Sequence, residues 1–237
     1  MYSFQSNIRF SEVDSDKRLT LTSLINYFQD CTIFHSESLH AGFEYLEPRH
    51  RCWVLSSWQV IIHRLPEFGE RVLVGTWPYG FSTLSGDRNF VLQNEAGETL
   101  VAANSFWVFT DTETGRPAKL DPDYVALYPM EPPLSMEYAS RKIALPPEYT
   151  EEASFTITKH HLDTNHHVNN AQYIRMAEDF LPADFEVGEF RAEYKKSARL
   201  HDEIHPLLSV TETTCTVVLA DAAQKPYTTV QFIRKEK

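Results

Sequence analysis

Leu162-Asp163-Thr164-Asn165-His166-His167-Val168-Asn169-Asn170 runs directly into Ala171-Gln172-Tyr173-Ile174, so a carboxylate, three amides and two imidazoles stand at the entrance to a helical pattern. Asp163, Asn165 and His167 lie two residues apart, and an extended backbone would turn all three to one side, whereas a helix would align only Asp163 with His167. Asn169 or Asn170 is a capping residue, Tyr173, Ile174, Ala177 and Leu181 recur at helical spacing, and Pro182 ends the run. The three polar side chains therefore precede a helix N-terminus, where free amide N–H groups and about half a positive charge suit a developing oxyanion. Imidazole, with an ordinary pKa of about 6.5, takes a proton from water near neutral pH, which makes His167 the candidate general base. A plainer reading has Asp163 and Asn165 building a turn and the histidines lying on the surface. A metal site is disfavoured, because adjacent pairs such as His160/His161 and His166/His167 point apart and no Cys or Glu completes a familiar ligand spacing.

A second copy of the pattern lies upstream. Val13-Asp14-Ser15-Asp16-Lys17-Arg18-Leu19 can be laid on Leu162 to Val168, pairing Asp14 with Asp163, Asp16 with Asn165 and Arg18 with His167. It too enters a helix, in which Leu21, Leu24, Ile25, Phe28 and Cys31 recur, with Tyr27, Ile33 and Phe34 adding apolar surface on other sides; such a helix is expected to be enclosed. Strand-like runs follow at Trp53 to Arg64, Arg71 to Trp77, Arg88 to Asn94 and Thr99 to Phe109, separated by Gly-containing turns, and they read as an antiparallel meander. The later half repeats the scheme with Phe190 to Ser197, Ile204 to Thr211, Cys215 to Leu219 and Tyr227 to Ile233, and Leu200-His201-Asp202 falls where Phe68-Gly69-Glu70 fell. Helix then sheet thus occurs twice.

Between the copies, residues 129–149 are rich in proline and read as a stiff connector. At ~3.3 Å per residue the stretch can span ~60 Å, enough to cross one domain. The expected organisation is one domain over 1–128, the linker, and a second domain over 150–237, with the two copies packing as a pseudo-dimer.

Composition bounds the class. The 237 residues are 42% hydrophobic and 23% charged, ordinary for a globular protein, and the net charge of −11 argues against nucleic acid as a partner. No signal-peptide core, transit segment or membrane-spanning apolar run stands out, which predicts a cytoplasmic protein without a membrane span. Cys31, Cys52 and Cys215 are an odd number in apolar settings, so packing rather than disulfide formation is expected of them.

The chain resembles the acyl-acyl carrier protein thioesterase family, of the bacterial type. The resemblance is carried by Asp163, Asn165, His167, Val168, Asn169 and Asn170 with Tyr173-Ile174. It is supported by Cys52-Trp53-Val54, Trp58-Gln59-Val60, Pro66-Glu67-Phe68-Gly69-Glu70, Ser105-Phe106-Trp107-Val108 and Glu193-Tyr194-Lys195-Lys196. It implies an α+β fold of two tandem hotdog domains, each a long helix wrapped by an antiparallel sheet. It also implies a cofactor-free hydrolase releasing free fatty acid from acyl carrier protein, with Asp163, Asn165 and His167 as catalytic residues. The N-terminal domain, which holds all four Trp, would house the acyl chain. Plant members carry an acidic residue followed by Cys just beyond the Glu-Tyr-basic-basic run, and Ser197 and Ala198 stand there in this chain. Ser197 and Asn169 are then site-lining candidates, and Asp163 or a nearby acid would have to supply the missing carboxylate. The partner implied is acyl carrier protein with its phosphopantetheine-linked acyl chain, and Arg175, Lys195, Lys196 and Arg199 are candidates for the basic rim that an acidic carrier needs. A homodimer is left open. The rival readings are an acyl-CoA thioesterase of the same fold, a non-catalytic acyl-thioester-binding protein favoured by the absent acid, and, ranked lowest, a hotdog dehydratase.

Overall fold

A computed structural model describes residues 1–236. Contacts divide the chain into two compact units, one formed by Met1–Ser56 with Ile62–Tyr138, the other by Ser57–Ile61 with the chain from Ala139 onward. In chain order the strands are β1 (Tyr2–Asn7), β2 (Arg51–Ile62), β3 (Arg71–Phe81), β4 (Ser85–Asn94), β5 (Thr99–Asp111), β6 (Thr150–Glu151), β7 (Phe155–Thr156), β8 (Val187–Tyr194), β9 (Glu203–Val210), β10 (Thr214–Ala220) and β11 (Pro226–Arg234). The helices are α1 (Leu21–Ser38), α2 (Phe43–Leu46), α3 (Pro122–Ala126) and α4 (Asn170–Glu178). Each unit is a hotdog, a helix laid on an antiparallel sheet. None of the described helices is long and apolar enough to cross a membrane.

In the first unit the strand order is β1-β3-β4-β5-β2. The expected meander holds for β3, β4 and β5, but β2 lies beyond β5 rather than beside β3, and β3 instead pairs with β1, from Tyr2↔Thr76 to Asn7↔Arg71. Thr20 caps α1, its hydroxyl accepting the Ser23 N–H at 3.1 Å. Leu21, Leu24, Ile25, Phe28 and Cys31 are buried, and Phe28 meets Phe90 of the sheet at 5.0 Å between ring centroids. The expectation of an enclosed helix is corrected: Ile33 and Phe34 are 40% and 49% exposed, so one stripe of α1 faces the core and the other side is open.

Behind α1 the core admits charge. Arg88 on β4 is buried and donates from Nη1 to His35 Nδ1 at 2.9 Å and to Thr76 Oγ1 at 3.3 Å. Because a guanidinium only donates, His35 must accept at Nδ1 and carry its proton on Nε2. The ring stacks on Tyr2 at 5.3 Å.

In the second unit residues 57–61 of β2 are followed by β8, β11, β10, β9 and β6, with β7 also on β9. The register runs Ser57↔Glu193 to Ile61↔Glu189 and Thr228↔Tyr194 to Ile233↔Glu189. The helix here is short rather than long: α4 has 9 residues against 18 in α1, and stops ahead of Pro182. Ala171, Tyr173, Ile174, Met176 and Ala177 are its buried face.

The Pro-rich stretch is pinned along its length. Its first part belongs to the first unit, where Pro132 accepts from Trp77 Nε1 at 2.9 Å and Leu134 N–H donates to Asn89 Oδ1 at 2.9 Å. Its continuation belongs to the second unit, where Ala139 N–H reaches Gln59 Oε1 at 2.9 Å and Ile143 N–H reaches Glu193 Oε2 at 3.0 Å.

Burial, the Arg88 guanidinium and the N-terminal amine together push the His35 pKa down to about 4. The unfolded chain then binds more protons than the folded one between pH ~6.5 and ~4, so this histidine's contribution to stability is full above the upper value and fades as pH falls through the window. Urea unfolding of the parent and of His35→Gln across that window should show a smaller fall in midpoint for the variant.

Candidate active site

The stretch from Asp163 to His167 closes as a tight turn, not as the extended run expected. Asp163 N–H donates to His167 O at 2.9 Å and His166 N–H to Asp163 O at 3.1 Å, while Leu162 and Val168 form an antiparallel bridge at the neck. Asp163 Oδ1 accepts the Asn165 N–H at 2.8 Å and, more weakly, the His167 N–H at 3.5 Å. His166 takes the left-handed conformation the turn requires, at φ 58°. The turn brings Asp163 and His167 together across the neck. Asn165 sits exposed at the tip, His167 is half-buried, and among the described residues no hydrogen bond runs from one of the three side chains to another, only from backbone amides to the Asp163 carboxylate. The plain reading of Asp163 as a turn builder is therefore correct for one of its carboxylate oxygens.

The repeat in the sequence is a repeat in the backbone. Asp14 N–H donates to Arg18 O at 2.9 Å, Asp14 Oδ1 accepts from Asp16 N–H at 2.9 Å and Arg18 N–H at 3.0 Å, and Lys17 is left-handed at φ 62°. Each turn is braced from outside in the same way. Leu19 N–H reaches Pro66 O and Arg18 bridges Glu67; Val168 N–H reaches Ala198 O and His167 bridges Arg199. Identical carpentry around different side chains means that the turn is architecture in both units. What distinguishes the second is the imidazole and amide standing where the first has Arg18 and Asp16.

On the helix side, Asn169 Oδ1 accepts the Ala171 N–H at 2.8 Å and Asn169 O accepts the Gln172 N–H at 2.9 Å. Asn169 is thus the cap itself, and two of the amides expected to face an oxyanion are already satisfied by it. Behind the turn, Tyr173 on α4 is buried and its hydroxyl accepts the Ala198 N–H at 2.7 Å. Burial, reinforced by Tyr227, Asp202 and Asp163, raises the Tyr173 pKa against a smaller opposing effect of the Ala198 hydrogen bond, so the phenol is a neutral brace.

That brace sets the strand end carrying Ser197, which is exposed and precedes Ala198. Of the four candidate rim cations, two are engaged: Lys195 pairs with Glu193, and Lys196 pairs with Asp221 while lying 4.2 Å from the Tyr227 ring centroid. Lys196 and turn amides hold the Asp221 carboxyl down to about 2. Arg175 and Arg199 are exposed and make no ion pair among the described residues. His161 Nδ1 accepts the Thr158 N–H at 3.0 Å, and burial followed by Arg175 and His160 lowers its pKa. Among the described residues no three His, Cys, Asp or Glu side chains gather as a metal ion would need. Burial pushes the Cys31 thiol up to about 12 and Cys215 up to about 11, which removes both as nucleophiles near neutral pH.

Family models for the acyl-ACP thioesterase N-terminal domain and the acyl-ACP thioesterase C-terminal domain match residues 1–128 and 146–230. The chain belongs to the acyl-ACP thioesterase family. Among relatives of this thioesterase family, the oleoyl-acyl carrier protein thioesterase 1 of Arabidopsis thaliana is 25% identical over 86% of this chain and 62% of its own length. The palmitoyl-acyl carrier protein thioesterase of Gossypium hirsutum is 26% identical over 90% of this chain and 55% of its own. The chain thus spans little more than half the length of these chloroplastic relatives. An acyl-ACP thioesterase from Bacteroides thetaiotaomicron superposes with a TM-score of 0.90 at 25% identity, covering 98% of this chain and 97% of that one. A 12:0-ACP thioesterase from Umbellularia californica shares the fold, with a TM-score of 0.86 at 21% identity over 100% and 97% of the two chains.

Two residues now stand at this thioesterase-type turn that its motif did not single out. Tyr173 reads in sequence as one more apolar helix position, and its hydroxyl bond to Ala198 is a tertiary contact. Asp202 accepts the Arg199 N–H at 2.9 Å and the Tyr227 hydroxyl at 3.3 Å; its signal was the alignment of Leu200-His201-Asp202 with Phe68-Gly69-Glu70. Since the two Asp turns share one geometry, Asp14→Ala and Asp163→Ala should each lower the unfolding free energy by about 1 kcal/mol in chemical denaturation, while Asp→Asn at either position, which keeps the acceptor oxygen, should cost less than half of that.

Proposed function

We propose that the chain hydrolyses the thioester of a fatty acyl group carried on the phosphopantetheine of acyl carrier protein. The observation that carries this reading is the half-buried imidazole of His167, held across the neck of the turn from Asp163 and just ahead of a capped helix, where the otherwise matching turn of the first unit has an arginine. Family membership and the plant relatives' names supply the substrate class.

In this mechanism His167 takes a proton from a water molecule as its oxygen attacks the thioester carbonyl carbon. The carbonyl oxygen becomes an oxyanion, and with the Ala171 and Gln172 amides occupied by the cap, the Asn165 amide donates to it. Collapse of the tetrahedral intermediate breaks the C–S bond, and the departing sulfur takes the proton from the His167 imidazolium, leaving free fatty acid and the carrier thiol. Asp163 Oδ2, the oxygen that does not accept from the turn amides, favours the imidazolium electrostatically. Arg175 and Arg199, which make no ion pair among the described residues, meet the acidic carrier, with Lys195 and Lys196 contributing less because carboxylates already neutralise them.

Thiol release from a panel of acyl carrier substrates of different chain length tests the reading. His167→Ala should keep its thermal midpoint and lose ~10²–10⁴-fold in turnover; hydrolysis at the parent rate would remove His167 from the mechanism. Running coenzyme A esters of the same acyl groups in parallel separates the carrier-protein reading from its same-fold rival, since Arg175→Ala and Arg199→Ala should raise KM for the carrier substrate and leave the CoA ester nearly unaffected. An absence of thiol release from either carrier would favour an acyl-thioester-binding protein.

A further inference from the structure

The two units also share the turn that follows the brace, and here they differ in charge. In the first unit Glu67 N–H donates to Glu70 Oε2 at 3.0 Å and Gly69 is left-handed at φ 81°; in the second Arg199 N–H donates to Asp202 Oδ2 at 2.9 Å and His201 is left-handed at φ 72°. The following amides bind alike, Gly69 N–H to Ile8 O and His201 N–H to Ile157 O. Glu70 is neutralised, because Arg64 grips both of its oxygens at 2.7 and 2.8 Å. The residue placed likewise before Asp202 is Lys196, and it turns to Asp221 instead. Asp202 is left half-buried with no cationic partner among the described residues, and its Oδ1 accepts no hydrogen bond among them. Its Oδ2 is anchored to Arg199, the residue that bridges His167, and the fields of both Asp202 and Asp163 reach the buried Tyr173 phenol.

We propose that Asp202 is the acidic positioning residue of this site, placing a carboxylate without a cationic partner among the described residues on the turn beyond the strand, anchored to the residue that bridges His167, and stabilising His167 in its protonated form. The inference rests on the thioesterase reading above. The other charges around the imidazole do not substitute for it. Asp163 has one oxygen occupied by turn amides, while Arg175 on α4 and Arg199 on the bridging segment oppose the imidazolium, as do His161 and His166 whenever protonated. Lys196 is cancelled by Asp221, and Tyr173 and Tyr227 are neutral near pH 7.

Asp202→Asn is the discriminating variant, since its amide oxygen still accepts the Arg199 N–H while the charge is gone. With acyl carrier substrate, kcat/KM near neutral pH should fall ~10-fold, and the acid limb of its pH profile should move down by about half a unit or more, because the imidazolium loses a neighbouring anion. Asp202→Glu should bring the limb back toward the parent's. An acid limb at the parent's pH in Asp202→Asn, whatever its rate, would overturn the proposal and leave Asp202 a brace for the turn. If Asp202→Asn does not fold, Asp202→Ser, which retains a short acceptor, is read by the same criterion. His167→Ala separates the two levels: full activity there removes the thioesterase mechanism, whereas a dead His167→Ala beside an unshifted Asp202→Asn removes only the role of Asp202.

Discussion

A single carboxylate accepting backbone amides two and four residues ahead of it is the constraint on which the site depends. Asp163 draws the amides of Asn165 and His167 toward itself, and that closure fixes where the imidazole leaves the main chain. Everything around the turn serves to keep it in place: the Val168 amide on Ala198, the Tyr173 hydroxyl on the Ala198 amide, the Asn169 cap at the head of α4. Each bond is worth only about 1 kcal/mol, yet buried donors such as the Ala198 amide are costly to leave unmet, so the set holds as a unit.

Much of the fold was legible in the sequence because the elements that matter most carry strong patterns. Trp53 to Arg64 and Thr99 to Phe109 are long β-rich runs bounded by turn residues, and β2 and β5 occupy nearly those spans. β1 was not legible: Tyr2, Phe4 and Ser6 alternate with Ser3, Gln5 and Asn7 over a stretch in which four of six residues are polar, and only its partner β3 makes it a strand. The place of β2 beyond β5 was hidden for a similar reason, since pairing between distant strands is a tertiary choice that local periodicity does not encode. The exposed Phe34 misled in the opposite direction; it makes an edge contact with Phe4 at 5.8 Å while keeping half its surface open.

At the candidate site, residue types were readable and geometry was not. The spacing of Asp163, Asn165 and His167 suggested an extended run because alternation is the simplest way to gather three polar side chains, whereas the structure gathers two of them by folding the chain back. The left-handed His166 is the residue that permits this, and nothing about a histidine announces a positive φ as a glycine would. The lysines at 195 and 196 looked equivalent to Arg175 and Arg199 in sequence, but their nearest carboxylates, Glu193 and Asp221, are apparent only once β8 and the end of β10 are in place. The Asp202 carboxylate was visible in the repeat all along; its lack of a cationic partner among the described residues was not.

The shared hydrogen-bond pattern of the turns at Asp14 and Asp163 also bears on how such a chain changes over generations. Closure relies on main-chain amides and one acid, so the residues at 16 and 18, or 165 and 167, are released from any duty to the scaffold. A tandem duplication built on such a motif begins with two interchangeable copies. Selection on chemistry can then act on one while the other drifts, and neither history registers as a loss of shape.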